Sequence, residues 1–462
     1  MMTFIAAMPI VGLALLLSVG KMPAWKASLI VLIASAFVSH FFGLSPAGTL
    51  LAAQEGARTG LFPIGLVIVG ALFVYAVVVE SKQLAKIREG LSAIAPNNAF
   101  AALMVVWGFG NFMEGMAGFG TAVAVPCAIL VGLGFDPVKA VLCSLVANTT
   151  PTAFGSVGVP TVILAREAGV EVGALSGMIA FLQAAVTALG PFLVLFVTGG
   201  IGEVRRNAAL ALIADLAFIV PSLLVARFVG CEMPDIVGGL AVMGVFAALG
   251  NHKNVNAREQ LAAWAPFGCA VVLLSIGAIA GRFYKISPGI LLVIAGFIGA
   301  KIQGIKFIAS LKLFARVIWK YAPAIGTICA ILALAKIMDR AGMIAMLASA
   351  LVDATGAAFA FFSPLLGSLG SFVTGSGTSS CVLFGKLQSG IGAPESRSLL
   401  YAAANVMGAG IGKMICPQSI VLGAAAAGIA GRENELFLRS LKFFVPLALL
   451  AGAIVLATAY FR

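Results

Sequence analysis

The sequence predicts an all-α polytopic membrane protein of about 12 spans plus two re-entrant hairpins. The spans are arranged as two inverted repeats, each with one hairpin and one broken helix. Three observations predict it. The 462 residues are 61% hydrophobic and only 10% charged, with a mean hydropathy of +1.11, a balance that soluble domains of this length do not have. The apolar residues form long continuous runs, not the polar–apolar alternation of a membrane barrel. The chain also matches itself when shifted by 257 residues, which brings Gly110 onto Gly367.

In order, apolar runs at 3–20, 27–43 and 61–79 read as spans, with a weakly amphipathic interfacial segment at 44–60. No basic segment precedes the first run, so it reads as a retained span and not as a cleaved signal. Residues 80–97 are polar. Residues 98–134 form an apolar stretch split by G-N-F-M-E-G-M-A-G-F-G (Gly110–Gly120) into halves of about fifteen residues. Such halves are too short for a ~30 Å core, which predicts a re-entrant hairpin. A run at 140–165, interrupted by N-T-T-P at 148–151 and by further Gly and Pro, predicts a broken helix. Spans follow at 174–198, 207–229, 236–250, 261–281, 288–303 and 321–338, with a basic amphipathic segment at 304–320. A second split stretch (355–391), a second broken run (398–430) and a last span (443–461) complete the chain.

The net charge of +12 is no nucleic-acid footprint, because the basic residues sit in short loops where they set orientation. They place the loops at 21–26, 80–90, 203–206, 252–258, 304–320 and 432–442 in the cytoplasm and both termini outside. The acidic loop at 231–235 is then external, and Arg282 and Lys285 run against the rule. Of the cysteines most lie in apolar runs, no C-x-x-C occurs, and His40 and His252 are the only histidines. Neither a disulfide framework, a metal site nor a cofactor is expected.

The self-match also brings Gly118 onto Gly375, Gly120 onto Gly377, Thr121 onto Thr378, Pro137 onto Pro394, Asn148 onto Asn405, Gly155 onto Gly412 and Pro160 onto Pro417, without a gap. It divides the chain into a first repeat (1–200), two linking helices (207–250) and a second repeat (258–462). Five crossings per repeat with an even linker give the copies opposite orientation. Inverted repeats with discontinuous helices are the architecture of secondary transporters, whose substrate sits where the broken elements meet.

Four polar pieces lie deep in apolar sequence: the tips Glu114–Thr121 and Ser371–Ser380, and the breaks Asn148–Pro160 and Asn405–Ser419. Half-helix N-termini suit an anion, and hydroxyls can donate to a carboxylate or coordinate a cation. The candidate substrate ligands are Gly118, Phe119, Gly120 and Thr121; Asn148, Thr149, Thr150, Phe154 and Gly155; Thr374, Ser376, Gly377, Thr378, Ser379 and Ser380; and Asn405, Lys413, Gln418 and Ser419. Lys413 has two readings: counter-ion to an anionic substrate, or partner of a carboxylate such as Glu114. Glu114 likewise reads as the carrier of a coupling proton or as an acceptor for backbone N–H groups. Asp215, Asp339 and Asp353 read as pairing or interface residues.

E-G-M-A-G-F-G (Glu114–Gly120), A-N-T-T-P-T-A-F-G-S-V-G-V-P (Ala147–Pro160), F-F-S-P-L-L-G-S-L-G-S-F-V-T-G-S-G-T-S-S (Phe361–Ser380) and G-K-M-I-C-P-Q-S-I (Gly412–Ile420) resemble the L-lactate permease family of bacteria. The tail G-R-E-N-E-L-F-L-R-S-L-K fits as well. The resemblance implies a proton-coupled importer of lactate, glycolate and similar 2-hydroxymonocarboxylates in the cell inner membrane. It also implies a transport domain moving against a dimeric scaffold in elevator fashion, hence a homodimer. Three residues depart from the family pattern: Gly377 stands where T-G-S-D-T-S-S has Asp, Cys416 where Ser is usual, and Met407 where a small hydroxyl residue is common. The chain is also shorter than typical members. With no acid in the second tip, carboxylate coupling rests on Glu114. That keeps open a sodium-coupled transporter of another small organic anion, carboxylate or sulfonate, and a cation/proton antiporter. An intramembrane enzyme is disfavoured, since no nucleophile is paired with a base or metal. An open channel is disfavoured because the repeats look built for occlusion.

Overall fold

The computed structural model describes residues 2–18, 22–118, 120–251, 256–279, 287–391 and 395–461. Phe119, His252, Arg282, Lys285 and Pro394, singled out above, lie outside the described residues. Among the described residues every regular element is helical. Nine helical stretches of the described residues are long and apolar enough to cross a bilayer, and shorter apolar helices such as Pro234–Leu249 and Pro288–Ile302 accompany them. The molecule is therefore a polytopic helical membrane protein.

The segment expected at the interface (44–60) and the basic segment expected as a cytoplasmic loop (304–320) instead fall largely within two long helices. Pro46–Thr59 runs through a kinked turn at Gly60–Gly65 into Leu66–Glu80, and Phe307–Arg340 is one helix of 34 residues. Charges interrupt the apolar run at 304–320, which ends a span by hydropathy but does not end a helix. At 1.5 Å per residue the second helix is about 51 Å long, well beyond a ~30 Å core, so its basic first turns extend past the hydrocarbon. The two long helices run antiparallel. A methyl on Gly56 would meet the Ala333 backbone at 2.5 Å, one on Gly65 would meet Ile325 at 3.2 Å, and Phe73 packs edge-on to Phe314 at 5.1 Å. Glycine lets the backbones approach this closely. Pro288–Ile302, Ala257–Ile279 and Ala24–Val38 pack on this pair and form one group of helices.

The hairpins and broken helices form a second group. The first hairpin has limbs Asn98–Met116 and Thr121–Gly132, and the second has limbs Phe359–Thr374 and 377–391. Gly110 lies against Pro126, and Ser380 Oγ donates to the Gly367 carbonyl at 2.8 Å, so each second limb folds back along its first. The first limb of the first hairpin is 19 residues, longer than its expected fifteen, because Gly110 and Gly115 remain helical. Glu114 therefore sits in the last helical turn, and the break itself falls at 117–120. The first broken helix comprises Pro137–Ala147 and Gly155–Ala168 around an unwound segment. The second comprises Glu395–Gly412 and Pro417–Ala426. Its break is only 413–416, so Asn405 lies on intact helix, contrary to the expected break from 405.

Two amphipathic helices, Gln83–Ile94 and Met343–Thr355, occupy stretches not assigned as helical from the sequence. In the first, Ile87 and Leu91 are buried while its charged residues face outward, a 3.6-residue pattern masked by high local charge. The acidic segment at 231–235, expected as an external loop, is folded inward. Cys231 and Asp235 are buried, and the Cys231 carbonyl lies against Gly158 of the first broken helix.

Candidate functional site

In the first hairpin the Met113 carbonyl accepts from the Ala117 N–H at 2.8 Å, closing the first limb. Gly118 and Gly120 then take φ of +62° and +83°, left-handed values that cost other residues roughly 1–2 kcal/mol. Thr121 Oγ1 donates to the Gly118 carbonyl at 2.8 Å, so this hydroxyl serves the turn. The second tip turns at Gly375 (φ +76°), and Ser376 Oγ accepts from the Ser379 N–H at 3.3 Å. In the first break Thr149 Oγ1 donates to the Val146 carbonyl and Thr152 Oγ1 to the Asn148 carbonyl. Ser156 and Val157 follow in left-handed conformations, and Ser156 Oγ donates to the Ala117 carbonyl at 2.9 Å. That bond pins the first break onto the first hairpin.

These turns surround a chamber of about 120 Å³. One water needs roughly 10–15 Å³ of such space, so the chamber admits a body of several heavy atoms. Each broken element presents the beginning of a half-helix to it. Gly120 precedes Thr121–Gly132, Pro160 lies in the first right-handed turn after the left-handed Ser156–Gly158, Gly377–Ser379 begin the second limb of the second hairpin, and Gln418 and Ser419 begin Pro417–Ala426. A helix N-terminus carries roughly half a positive charge and aims N–H groups outward, so four of them favour an anion.

Among the described residues the ionisable side chains on this chamber are one of each sign. Lys413 Nζ donates to Glu114 Oε1 at 2.8 Å, and the two side chains are 8% and 4% exposed. Both readings of Lys413 thus meet at one place: it pairs with Glu114 and also faces the chamber. Glu114 Oε2 has no hydrogen-bond partner among the described residues. A methyl on Gly155 would stand 3.1 Å from Glu114 Oε1, so a glycine there leaves room for the carboxylate against the unwound backbone. With the pair neutral overall, the four helix ends leave the chamber electropositive.

Of the predicted site residues, the chamber gathers Glu114, Gly120, Gly155, Thr374, Ser376, Gly377, Thr378, Ser379, Lys413, Gln418 and Ser419. Others stand apart. Gly118 and Thr121 form the first turn, and Phe119 is not described. Asn148 and Thr149 are buried in the break, and Asn148 has no side-chain partner among the described residues. Thr150 and Phe154 line a different cavity. Ser380 bonds across its own hairpin, and Asn405 Oδ1 accepts from Gln388 Nε2 at 2.9 Å. Sequence reasoning did not single out Thr152, Leu422 or, from the long helix Phe307–Arg340, Thr327 and Ile328, all of which line the chamber. Thr152 was within reach, being one hydroxyl inside the first break. Thr327 and Ile328 carried no signal, because an apolar helix gives no sign of which turn faces a cavity.

Gly377 is shaped by its neighbour. A methyl there would stand 2.5 Å from Thr152 Cγ2, so the second tip closes the chamber against the first break. An aspartate at this position would have no room unless Thr152 moves.

The sequence model of the L-lactate permease family matches residues 2–280 and 282–461. An L-lactate permease of Streptococcus iniae is 35% identical over 428 residues, covering 83% of this chain and 89% of that protein. The glycolate permease GlcA of Escherichia coli (strain K12) is 32% identical over 99% of this chain and 95% of its own. An L-lactate permease of Bacillus subtilis (strain 168) is 29% identical over 96% and 93%. A match running from end to end, over helices, hairpins and breaks alike, shows that the chain belongs to the L-lactate permease family, a family of transporters and not of enzymes.

Proposed function

We propose that the protein is a secondary active transporter that imports a small monocarboxylate, such as L-lactate or glycolate, together with protons. The observation that carries this is the Lys413–Glu114 pair at the focus of four helix N-termini. One cation is shared by two claimants. In the resting pair Glu114 neutralises Lys413. An entering substrate carboxylate takes its place, and a buried glutamate released from its cation is neutralised by a proton. Substrate and proton then load together, one for one. The chamber hydroxyls of Thr378 and Ser379 supply donors to the carboxylate or the 2-hydroxyl. The names of the relatives support this substrate class, and Gly377 supports Glu114 as the coupling acid, since among the described residues no second carboxylate faces it across the chamber.

The inverted-repeat reading, with repeats at 1–200 and 258–462 joined by 207–250, is supported by the antiparallel pair of long helices. It is supported too by hairpin tips at corresponding places and by the left-handed Ser156–Gly158, which the same shift of 257 residues brings onto the second break at 413–416. Elevator movement is supported by the separation into two groups of helices. Few polar ties bridge them: Lys336 to Glu167 at 3.1 Å and Lys386 to Asp339 at 2.5 Å. A homodimer and external termini complete the proposal, the latter supported by the loop charges.

The test is uptake of labelled L-lactate and glycolate into proteoliposomes, with a pH gradient imposed and sodium varied. Uptake that follows the pH gradient and ignores sodium is expected. Sodium dependence would transfer the coupling to that ion, and absence of uptake for every short 2-hydroxy acid would refute the substrate class.

A further inference from the structure

Behind the first break lies a second, smaller cavity of about 30 Å³. The unwound segment divides the two spaces residue by residue. Thr152, Gly155 and Ser156 face the chamber, whereas Thr150 and Phe154 face the second cavity. Gln183 and Asp235 form part of its far wall. Thr150, Gln183 and Asp235 are each no more than 4% exposed. Thr150 Oγ1, Gln183 Oε1 and Asp235 Oδ2 have no hydrogen-bond partner among the described residues. Buried polar atoms in this state are the ordinary partners of internal water, and roughly 10–15 Å³ accommodates one, so the cavity suits about two waters.

Asp235 is also a neighbour of the coupling acid. A methyl on Gly115 would stand 2.9 Å from Asp235 Cβ, so Asp235 lies against the backbone next to Glu114, and the two carboxylates repel each other. Among the described residues Glu114 is the charged group that acts on Asp235, and the acid of the adjoining turn, Glu232, interacts with Cys231. Glu114 Oε2, without a partner among the described residues, can accept a proton.

We infer that Asp235 is a proton-relay residue and that the second cavity is its hydrated supply. A hydronium ion in the cavity gives its proton to the Asp235 carboxylate and is left as water. As the substrate carboxylate takes over Lys413, the Asp235 O–H bond breaks and the proton passes beside Gly115 to Glu114 Oε2, where the new O–H bond forms. Asp235 returns to the carboxylate, and no electrons are exchanged. Substrate and proton thus reach the Glu114–Lys413 pair from opposite sides of the unwound segment. The inference rests on the proton-coupled reading above.

The test compares two rates in proteoliposomes: equilibrium exchange of labelled L-lactate, which moves no net proton, and net uptake driven by a pH gradient. In Asp235→Asn the ratio of net uptake to exchange is expected to fall tenfold or more, on the scale of a lost proton-transfer group. Ala184→Leu, which fills the second cavity from its wall and leaves every acid in place, is expected to lower the same ratio. Melting curves report whether each variant is folded, and if Asp235→Asn is not, Ala184→Leu decides. A ratio within twofold of the unmodified protein in the folded variants overturns the relay. Absence of L-lactate uptake by the unmodified protein overturns instead the function on which it rests.

Discussion

Glu114→Gln removes the resident anion of Lys413 while keeping nearly the same volume. If Lys413 is shared between Glu114 and the substrate carboxylate, the variant binds substrate more tightly than the unmodified protein, because nothing charged has to be displaced. The magnitude follows from the 2.8 Å contact. Two unit charges at that distance attract by about 6 kcal/mol at an effective dielectric of 20, and the buried setting, with side chains 8% and 4% exposed, leaves little solvent to screen them. Most of that is recovered when the substrate carboxylate replaces the glutamate, and desolvation offsets part of the rest. A net competition of about 2–3 kcal/mol corresponds to roughly 30–150-fold in affinity. The variant should also bind with little dependence on pH, since the proton-accepting group is gone, and should lose accumulation driven by a pH gradient while still exchanging substrate. Calorimetric titration of the purified variant with L-lactate between pH 5.5 and 8 measures the first two. The reasoning fails if Glu114→Gln binds substrate more weakly than the unmodified protein, or keeps an equally steep pH dependence.

Lys413→Met leaves Glu114 buried without a counter-charge. It should abolish uptake and cost about 3–5 kcal/mol of stability, much of it recovered in the Glu114→Gln, Lys413→Met double variant, as a double-mutant cycle of melting curves would show. Gly377→Ala places a methyl 2.5 Å from Thr152 Cγ2. It should destabilise by about 1–3 kcal/mol and slow uptake, and Thr152→Ser, which removes that methyl, should restore both. Gly118→Ala combines a φ of +62° with a clash against Ser156 Oγ. A loss of at least 1–2 kcal/mol is expected, accompanied by weaker substrate binding, whereas an unchanged melting temperature would mean that the tip relaxes.

Much of the fold was legible because the bilayer constrains the sequence so strongly. Apolar runs marked the spans, and clustered glycine, proline and polar residues marked the two hairpins and two breaks. The long helices Pro46–Glu80 and Phe307–Arg340 were misread in their first halves because hydropathy reports where a helix leaves the hydrocarbon, not where it ends. The amphipathic helices Gln83–Ile94 and Met343–Thr355 were missed because their buried faces are short and sit within charged or uneven sequence. In the site, residues at half-helix beginnings were found from composition alone. Thr327 and Ile328 were not, because their place on the chamber depends on which turn of a long apolar helix is opposite the tips.

By itself the sequence determined that the chain lives in a membrane, which segments break inside it, and that Glu114 and Lys413 are the charges most costly to place there. Those properties depend on local composition and on solvation by lipid. Only the tertiary structure decided that these two charges are 2.8 Å apart, although 299 residues separate them in the chain. It also brought Asp235, from a segment that reads as an external loop, into the interior beside Glu114. Such pairings depend on how helices from the two halves pack, and an isolated charge costs the same in sequence whichever partner the fold supplies.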